Sequence, residues 1–172
     1  MIQGNADMLH LAPVSDVRAR AYLFARMLEE GRAGIVQYHL PEPSLDLWLE
    51  HTAPEKAWLV AICVDTRLAA AAWFTDFSGR AAFAHFAVFR GFAHISRQIC
   101  HYVCQWAFAA GGLACLLGVI PAVNRAAIAT MRASGWQEIF RIPQLCFVHK
   151  LGRCVDGVLC HFSPQLLREV VP

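Results

Sequence analysis

Lysine is nearly missing from this chain: only two of its fifteen basic residues are Lys, and its thirteen arginines are scattered rather than grouped with aromatics. With a net charge of only +2, nothing resembles a basic surface that tracks a nucleic-acid backbone, and no nucleic-acid partner is expected. Uninterrupted apolar runs of spanning length are also missing. Asp65, Arg67, Asp76 and Arg80 break up the most hydrophobic stretch, so no membrane partner is expected. The start, MIQGNADMLHLAP, has neither a basic lead nor an apolar signal core, which makes a cytoplasmic location the expectation. No linker, low-complexity tract or internal repeat divides the 172 residues, and the expectation is one domain, residues 1–172, with one substantial core.

No CxxC pair occurs among the seven cysteines, Cys63, Cys100, Cys104, Cys115, Cys146, Cys154 and Cys160. Most lie in apolar segments, where a thiol behaves as a small hydrophobe, and a cytosolic protein keeps such thiols reduced. The sharpest alternative is a zinc site at Cys100 and Cys104, one helical turn apart with His94 and His101 near. Closed zinc sites draw tightly spaced ligands from more than one element, so no metal is expected. What the chain does have is apolar residues, 57% of the total, with a positive mean hydropathy. That excess suits a large core, a homodimer contact or a ligand groove.

Periodicity and turn chemistry give an order of elements. Met8 to Leu11 reads as a short strand. Ser15 or Asp16 caps a helix reaching about Glu30, with Val17, Ala21, Phe24 and Leu28 on one face, and Gly31 stops it. Gly34 to Pro43 reads as a loop, and Ser44 as the cap of a short helix with Leu45, Trp48 and Leu49 on its apolar side. Three strands follow, Ala57 to Val64, Leu68 to Thr75 and Ala81 to Phe89, and the short polar turns between them predict an antiparallel meander. A helix from about Ser96 to Ala110 presents Ile99, Val103, Trp106 and Ala110 on one stripe and ends at Gly111-Gly112. Strand, helix and two more strands follow, the last about Cys154 to Phe162, and the tail from Ser163 reads as a docking helix.

Residues 119 to 136, read with the strand that leads into them, carry the most information. Leu113 to Val119 reads as a strand that Pro121 ends, because proline disfavours the helical conformation at Ile120. Asn124 is a natural N-cap for the helix that follows, with Ala127 and Ile128 on its buried side. Gly135 closes that helix, Arg132 complements its negative end, and Trp136 opens another strand.

The stretch VIPAVNRAAIATMRASGW, residues 119–136, resembles the fifth strand and fourth helix of the GNAT superfamily of acyl-CoA N-acyltransferases. The whole order of elements is similar to that family's. The resemblance implies a mixed α/β fold, a central and mostly antiparallel sheet of about seven strands with helices on both faces. It also implies acetyl-CoA as co-substrate, with pantetheine inserted where the fourth and fifth strands splay apart, along Phe86, Ala87 and Val88. Backbone amides near Val88 would then polarise the acyl carbonyl. The pyrophosphate would lie over Ala93, His94, Ile95, Ser96, Arg97 and Gln98, with Ser96 as helix cap and Arg97 as counter-charge. Asn124 would reach the pantetheine arm.

Two positions depart from the family pattern. Neither RGFAHI from Arg90 nor AHISRQ from Ala93 carries both glycines of the family's pyrophosphate loop, and Met131 stands where many members have a catalytic Tyr. His85 is the candidate base, since it lies on the active strand and titrates in a useful range, and the alternative for it is a hydrogen-bonded core histidine. The departing thiolate would take its proton from solvent or from a Tyr elsewhere, such as Tyr38. The first expectation is therefore an N-acetyltransferase acting in a ternary complex on a small-molecule amine or a peptide N-terminus. That acceptor would lie against the loop after the first helix and the segment Arg141 to Arg153. The second is a catalytically weakened binding or assembly protein of the same fold, encoded by a phage or prophage.

Overall fold

Capping chemistry sets the first boundaries. In the computed structural model, which describes residues 9–38 and 42–170, the Asp16 carboxylate accepts from the amides of Arg18 and Ala19 at 2.9 Å and caps α1 (Val17–Glu29). Gly31 leaves that helix with φ +64°, where a Cβ is poorly tolerated. The buried face of α1 is not the expected one. It consists of Arg20, Leu23, Phe24 and Met27, while Val17 and Leu28 are 51% and 50% exposed. Arg20 causes this rotation. Its Nη1 donates to the Leu49 carbonyl at 2.7 Å, and its own carbonyl accepts from Trp48 Nε1 at 2.8 Å. Nη1 is thus bonded while Nε stays buried without a partner among the described residues, and the aliphatic stem becomes packing surface.

The span expected as a loop, Gly34 to Pro43, opens inside a helical turn, α2 (Ala33–Val36), whose Ile35 and Val36 amides bond the Arg32 carbonyl. Residues 39–41 of that span lie outside the described residues. Ser44 caps α3 (Leu45–His51) through Leu47 N, with Trp48 fully buried and Leu45 exposed.

Seven strands form one sheet: β1 (Leu9–Pro13), β2 (Trp58–Val64), β3 (Arg67–Ser78), β4 (Ala81–Val88), β5 (Cys115–Pro121), β6 (Gln137–Val148) and β7 (Arg153–Phe162). Their order is β1-β2-β3-β4-β5-β7-β6, and every neighbouring pair is antiparallel except β4 with β5. The mixed fold with a mostly antiparallel seven-stranded sheet is thus observed.

Several strands are shifted from their expected bounds. β1 runs on to Pro13, which an edge strand tolerates, while Met8 lies outside the described residues. β3 continues three residues past Thr75, through a register shift and an Asp76 with φ +50°. β5 starts at Cys115 rather than Leu113, because the amides of Ala114 and Cys115 both turn to the Arg80 carbonyl. It also extends through Pro121, which pairs with Gly157.

The sheet is covered on both faces. α1, α2 and α3 place Leu23, Phe24, Met27 and Trp48 over Leu59, Ala71, Trp73 and Ala87. On the opposite face, α4 (Ser96–Gly111), α5 (Arg125–Ala133) and α6 (Pro164–Val170) pack Ile99, Val103, Ile128 and Leu166 onto Ala70, Ala72, Leu116 and Phe162. Ala69 to Ala72 are wholly buried, so the central strand is narrow enough for both layers to close on it. The inner stripe of α4 is Ile99, Cys100, Val103, Cys104 and Ala107, and the expected Ala110 is exposed. Gly135 has φ +81°, and a Cβ there would lie 2.5 Å from Val170 Cγ1, so this glycine both ends α5 and lets the docking helix α6 approach. Among the described residues, no helix is long and apolar enough to cross a membrane.

Candidate active site

β4 and β5 stay together for only three pairs, Ala81 with Cys115, Ala82 with Leu116 and Phe83 with Leu117. Beyond them β4 remains in register with β3 as far as Val88, while β5 follows β7 as far as Pro121. Each strand keeps its antiparallel partner, and the parallel seam between them opens. At the point of parting, Gly118 lies against Ala84, and a Cβ on Gly118 would approach Cys160 Sγ at 3.1 Å and the Trp136 ring at 3.3 Å. Small residues therefore form the apex of the opening. The edges facing it, along Ala84 to Val88 and Gly118 to Pro121, carry backbone polar groups that need partners from outside the sheet.

A cavity of about 380 Å³ fills the opening and is lined from both faces of the sheet. Arg32, Ile35, Val36 and Tyr38 border it on the α1–α2 side, and Ala93, Ser96, Asn124, Ala127 and Thr130 on the α4–α5 side. Of the sequence-predicted residues, the structure brings together Tyr38, His85, Phe86, Ala87, Val88, Ala93, Ser96 and Asn124 around this space. It does not place His94, Ile95, Arg97 or Gln98 in the wall; His94, Arg97 and Gln98 are exposed around the start of α4.

Ser96 is not a cap. It is the first residue of α4, preceded by a 3-10 turn (Ala93–Ile95), and the capping position belongs to Ile95, which offers no side-chain acceptor. The Ser96 hydroxyl is instead 3.4 Å from that of Thr130. The first-turn amides of α4 thus lack a side-chain cap, and no acidic residue sits among them, a combination that favours an anion.

Asn124 caps α5 as expected, its Oδ1 accepting from the Ala127 amide at 3.2 Å. The cap uses the carboxamide oxygen and leaves the NH2 to donate into the cleft. Asn124→Ser should therefore keep most of the roughly 1 kcal/mol that Asn124→Ala loses. Thermal unfolding of the two variants checks this. A Ser variant that unfolds like the Ala variant would remove the capping role.

His85 is half-buried and lies flat on Trp73, with ring centroids 5.2 Å apart and planes 10° apart. Its Nε2 is 3.0 Å from Thr75 Oγ1, and that hydroxyl donates to Asp76 Oδ2 at 2.8 Å. Burial raises the Tyr38 phenol well above its ordinary range, and Cys146, Cys160 and Asp76 act in the same direction. The phenol therefore holds its proton near neutrality and can donate a hydrogen bond.

Met131, which stands where many members of the resembled family have a catalytic Tyr, does line the cavity, whereas sequence reasoning missed Arg32, Ile35, Val36, Cys100, Thr130, Trp136 and Cys160 in the wall. The helical spacing of Asn124, Ala127 and Thr130, and of Ser96 and Cys100, could have found some of them. Trp136 is held by stacking on Phe162 at 5.3 Å and by an edge contact with Phe86 at 6.3 Å. Cys160 donates to the Gly118 carbonyl at 3.3 Å, and burial pushes its thiol up to about 12. Burial likewise holds Cys104 well above the ordinary thiol range. Of the histidines in the zinc alternative, His101 contacts the Ser134 carbonyl at 2.9 Å and His94 is exposed. Among the described residues, no three His, Cys, Asp or Glu side chains converge as metal ligands.

No protein-family model and no curated protein sequence matches the chain. Solved structures do. A spermidine N-acetyltransferase from Vibrio cholerae, in complex with CoA and spermine, superposes with a TM-score of 0.74 at 16% identity, covering 95% of this chain and 99% of that one. A ribosomal-protein-S5-alanine acetyltransferase from Vibrio fischeri gives 0.69 at 14% identity, covering 90% and 92%. RimJ from Mycobacterium smegmatis, in complex with CoA-disulfide, gives 0.73 at 15% identity, covering 95% and 88%. At these identities the likeness establishes the fold, and it is the GNAT fold.

Proposed function

We propose that this protein is an N-acetyltransferase that moves the acetyl group of acetyl-CoA to a primary amine, with both substrates bound together. The observation that carries this reading is the parting of β4 from β5 after Phe83 and Leu117. It provides a channel through the sheet, open on one side to a helix N-terminus and on the other to His85 and Tyr38. The solved structures of this fold that hold CoA or CoA-disulfide support the same use of the cleft.

In this reading the pantetheine lies between the strands and bonds to main-chain groups of Phe86, Ala87 and Val88, whose amides also draw charge from the acyl carbonyl. The pyrophosphate rests on the uncapped first turn of α4, within Ala93 to Gln98, with Arg97 as counter-charge. The Asn124 carboxamide donates to the pantetheine arm. The amine enters from the α1–α2 side and loses a proton to His85, its nitrogen attacks the thioester carbonyl, and the C–S bond breaks with the electron pair leaving on sulfur. Tyr38 offers that sulfur a hydrogen bond, and solvent supplies its proton. No acidic side chain is found among the described residues of the cavity wall, which favours an amine of low positive charge, a small molecule or a peptide N-terminus. Protomer association and cytoplasmic placement remain parts of this proposal.

Thermal unfolding with and without acetyl-CoA tests the reading. Ligand at one hundred times its Kd adds about 2.7 kcal/mol, and the melting temperature should rise by roughly 5–11 °C. Mass detection of acetylated product across a panel of amines and peptide N-termini then tests turnover. A flat melting temperature at millimolar acetyl-CoA would defeat the acyltransferase reading. Binding without product would favour the second reading, a weakened binding module, for which the glycine-free turn Ala93–Ile95 and Met131 in the cleft wall are the motives.

A further inference from the structure

Of the Arg, Lys, Asp and Glu residues, only Arg32 lines the cleft among the described residues, and it stands on the α1–α2 side. Its backbone is pinned in both directions. The Arg32 amide bonds the Met27 carbonyl at 2.7 Å as the chain leaves α1, and its carbonyl accepts from the Ile35 and Val36 amides of α2 at 2.9 and 3.1 Å. The cation is thereby fixed beside two apolar side chains that share the wall with it.

Glu30 holds one side of the guanidinium. Its carboxylate accepts from the Arg90 amide at 2.7 Å and from Arg26 Nη2 at 3.2 Å, and it meets Arg32 only as an ion pair, 3.9 Å from Nε. The two terminal nitrogens of Arg32 have no partner among the described residues, and the side chain is 36% exposed. That terminal edge is one of those that grip a carboxylate through two parallel bonds. The first turn of α4, assigned to the pyrophosphate, packs on the opposite face of the sheet, which leaves Arg32 for the other substrate. We propose that Arg32 is a specificity-determining residue that binds a carboxylate of the acceptor, and that the acceptor is a primary amine carrying a carboxylate, with its hydrocarbon body against Ile35 and Val36.

This inference rests on the acetyl-transfer reading for the fate of the amine, while carboxylate binding can be measured without turnover. A polycationic amine would bring further positive charge to Arg32 and meet no carboxylate among the described residues of the wall. An amino acid instead places its negative group on the guanidinium and keeps its amine for the thioester. The same pair of groups occurs in a free amino acid and at a peptide N-terminus that begins with an acidic residue, so the test has an arm for each.

With the full chain and acetyl-CoA, kcat/KM is measured for leucine against leucinamide and for a peptide beginning with glutamate against one beginning with glutamine. Wild type should favour the carboxylate of at least one pair by about ten- to a hundredfold, the worth of hydrogen bonds to a charged group. In Arg32→Met, which keeps the stem, that ratio should fall by the same factor with the KM for acetyl-CoA unchanged. Arg32→Lys, a point charge without the planar fork, should recover only part of it. Both variants should unfold near the wild-type temperature, because an exposed ion pair contributes little. Loss confined to the leucine pair identifies a free amino acid, and loss confined to the peptide pair an acidic N-terminus. Binding is read separately by titrating N-acetyl-leucine and N-acetyl-leucinamide with CoA present; the acid should bind wild type more tightly, and Arg32→Met should bind both alike. Ratios that are the same in wild type and Arg32→Met for both pairs overturn the proposal, while product formation leaves the acetyltransferase reading standing. A raised KM for acetyl-CoA in Arg32→Met gives the guanidinium to the cofactor and also overturns it. Arg32-dependent binding of N-acetyl-leucine without product from any amine keeps the carboxylate site and overturns the acetyltransferase reading. Neither product nor binding overturns both.

Discussion

Trp48→Ala should lower stability by about 3–5 kcal/mol, the range for removing a large buried aromatic, and the melting temperature by roughly 6–20 °C. Trp48 is 1% exposed and joins three elements. It stacks near Phe24 of α1 at 6.1 Å and meets Trp73 of β3 edge-on at 5.0 Å, and its Nε1 donates to the Arg20 carbonyl. Arg20 in turn reaches back to α3 through the Leu49 carbonyl, so one truncation loosens both helices of the α1–α3 layer. Trp73 is also the surface on which His85 lies, so the damage should reach the cleft. Trp48→Phe retains much of the packing and should cost less than half as much. Urea titration of the three proteins gives the comparison. A loss under about 1 kcal/mol for Ala would mean that the layer repacks freely, against the density expected of such a core.

Ala127→Trp should abolish the rise in melting temperature that acetyl-CoA produces, up to the roughly 2.7 kcal/mol expected at one hundred times Kd. Ala127 faces the cleft from the first turn of α5, half-buried, while its amide is held by Asn124. An indole there would occupy the space between the strands without touching the cap. Ala129→Trp is the matched control, on the same helix but exposed and away from the cavity wall. If both variants keep the acetyl-CoA response, the ligand does not use the opening between β4 and β5. If both lose it, the substitution acts through the helix rather than the cleft.

Local chemistry made much of the frame legible. Asp16, Ser44 and Asn124 each cap the helix that follows, because a short oxygen acceptor ahead of an amphipathic run has one obvious use. The meander from β2 to β4 was readable from apolar runs separated by short polar turns. The face of α1 was misread because apolar spacing assigned Val17 and Leu28 inward, and no local pattern reveals that Arg20 will donate to the Leu49 carbonyl of α3 and accept from the Trp48 indole through its own carbonyl. Ser96 was misread as a cap for a related reason. A serine at a helix start looks like a cap, but the 3-10 turn ahead of it moves that position to Ile95.

The sequence by itself determined the order of elements, the caps and stops, and through residues 119–136 the resemblance that pointed to the fold. These are properties of neighbours along the chain, fixed by backbone preference, side-chain spacing and the reach of a short polar group. Only the tertiary structure decided that β4 and β5 part after three pairs. That depends on two separate antiparallel registers, with β3 and with β7, each continuing where the parallel seam stops. Tertiary structure alone also brought Tyr38, His85, Cys100, Asn124 and Trp136 around one cavity, and set Thr75 against His85 from a different strand. Contacts between residues far apart in the chain leave no periodic trace in it, so the cleft could be read only from the folded molecule.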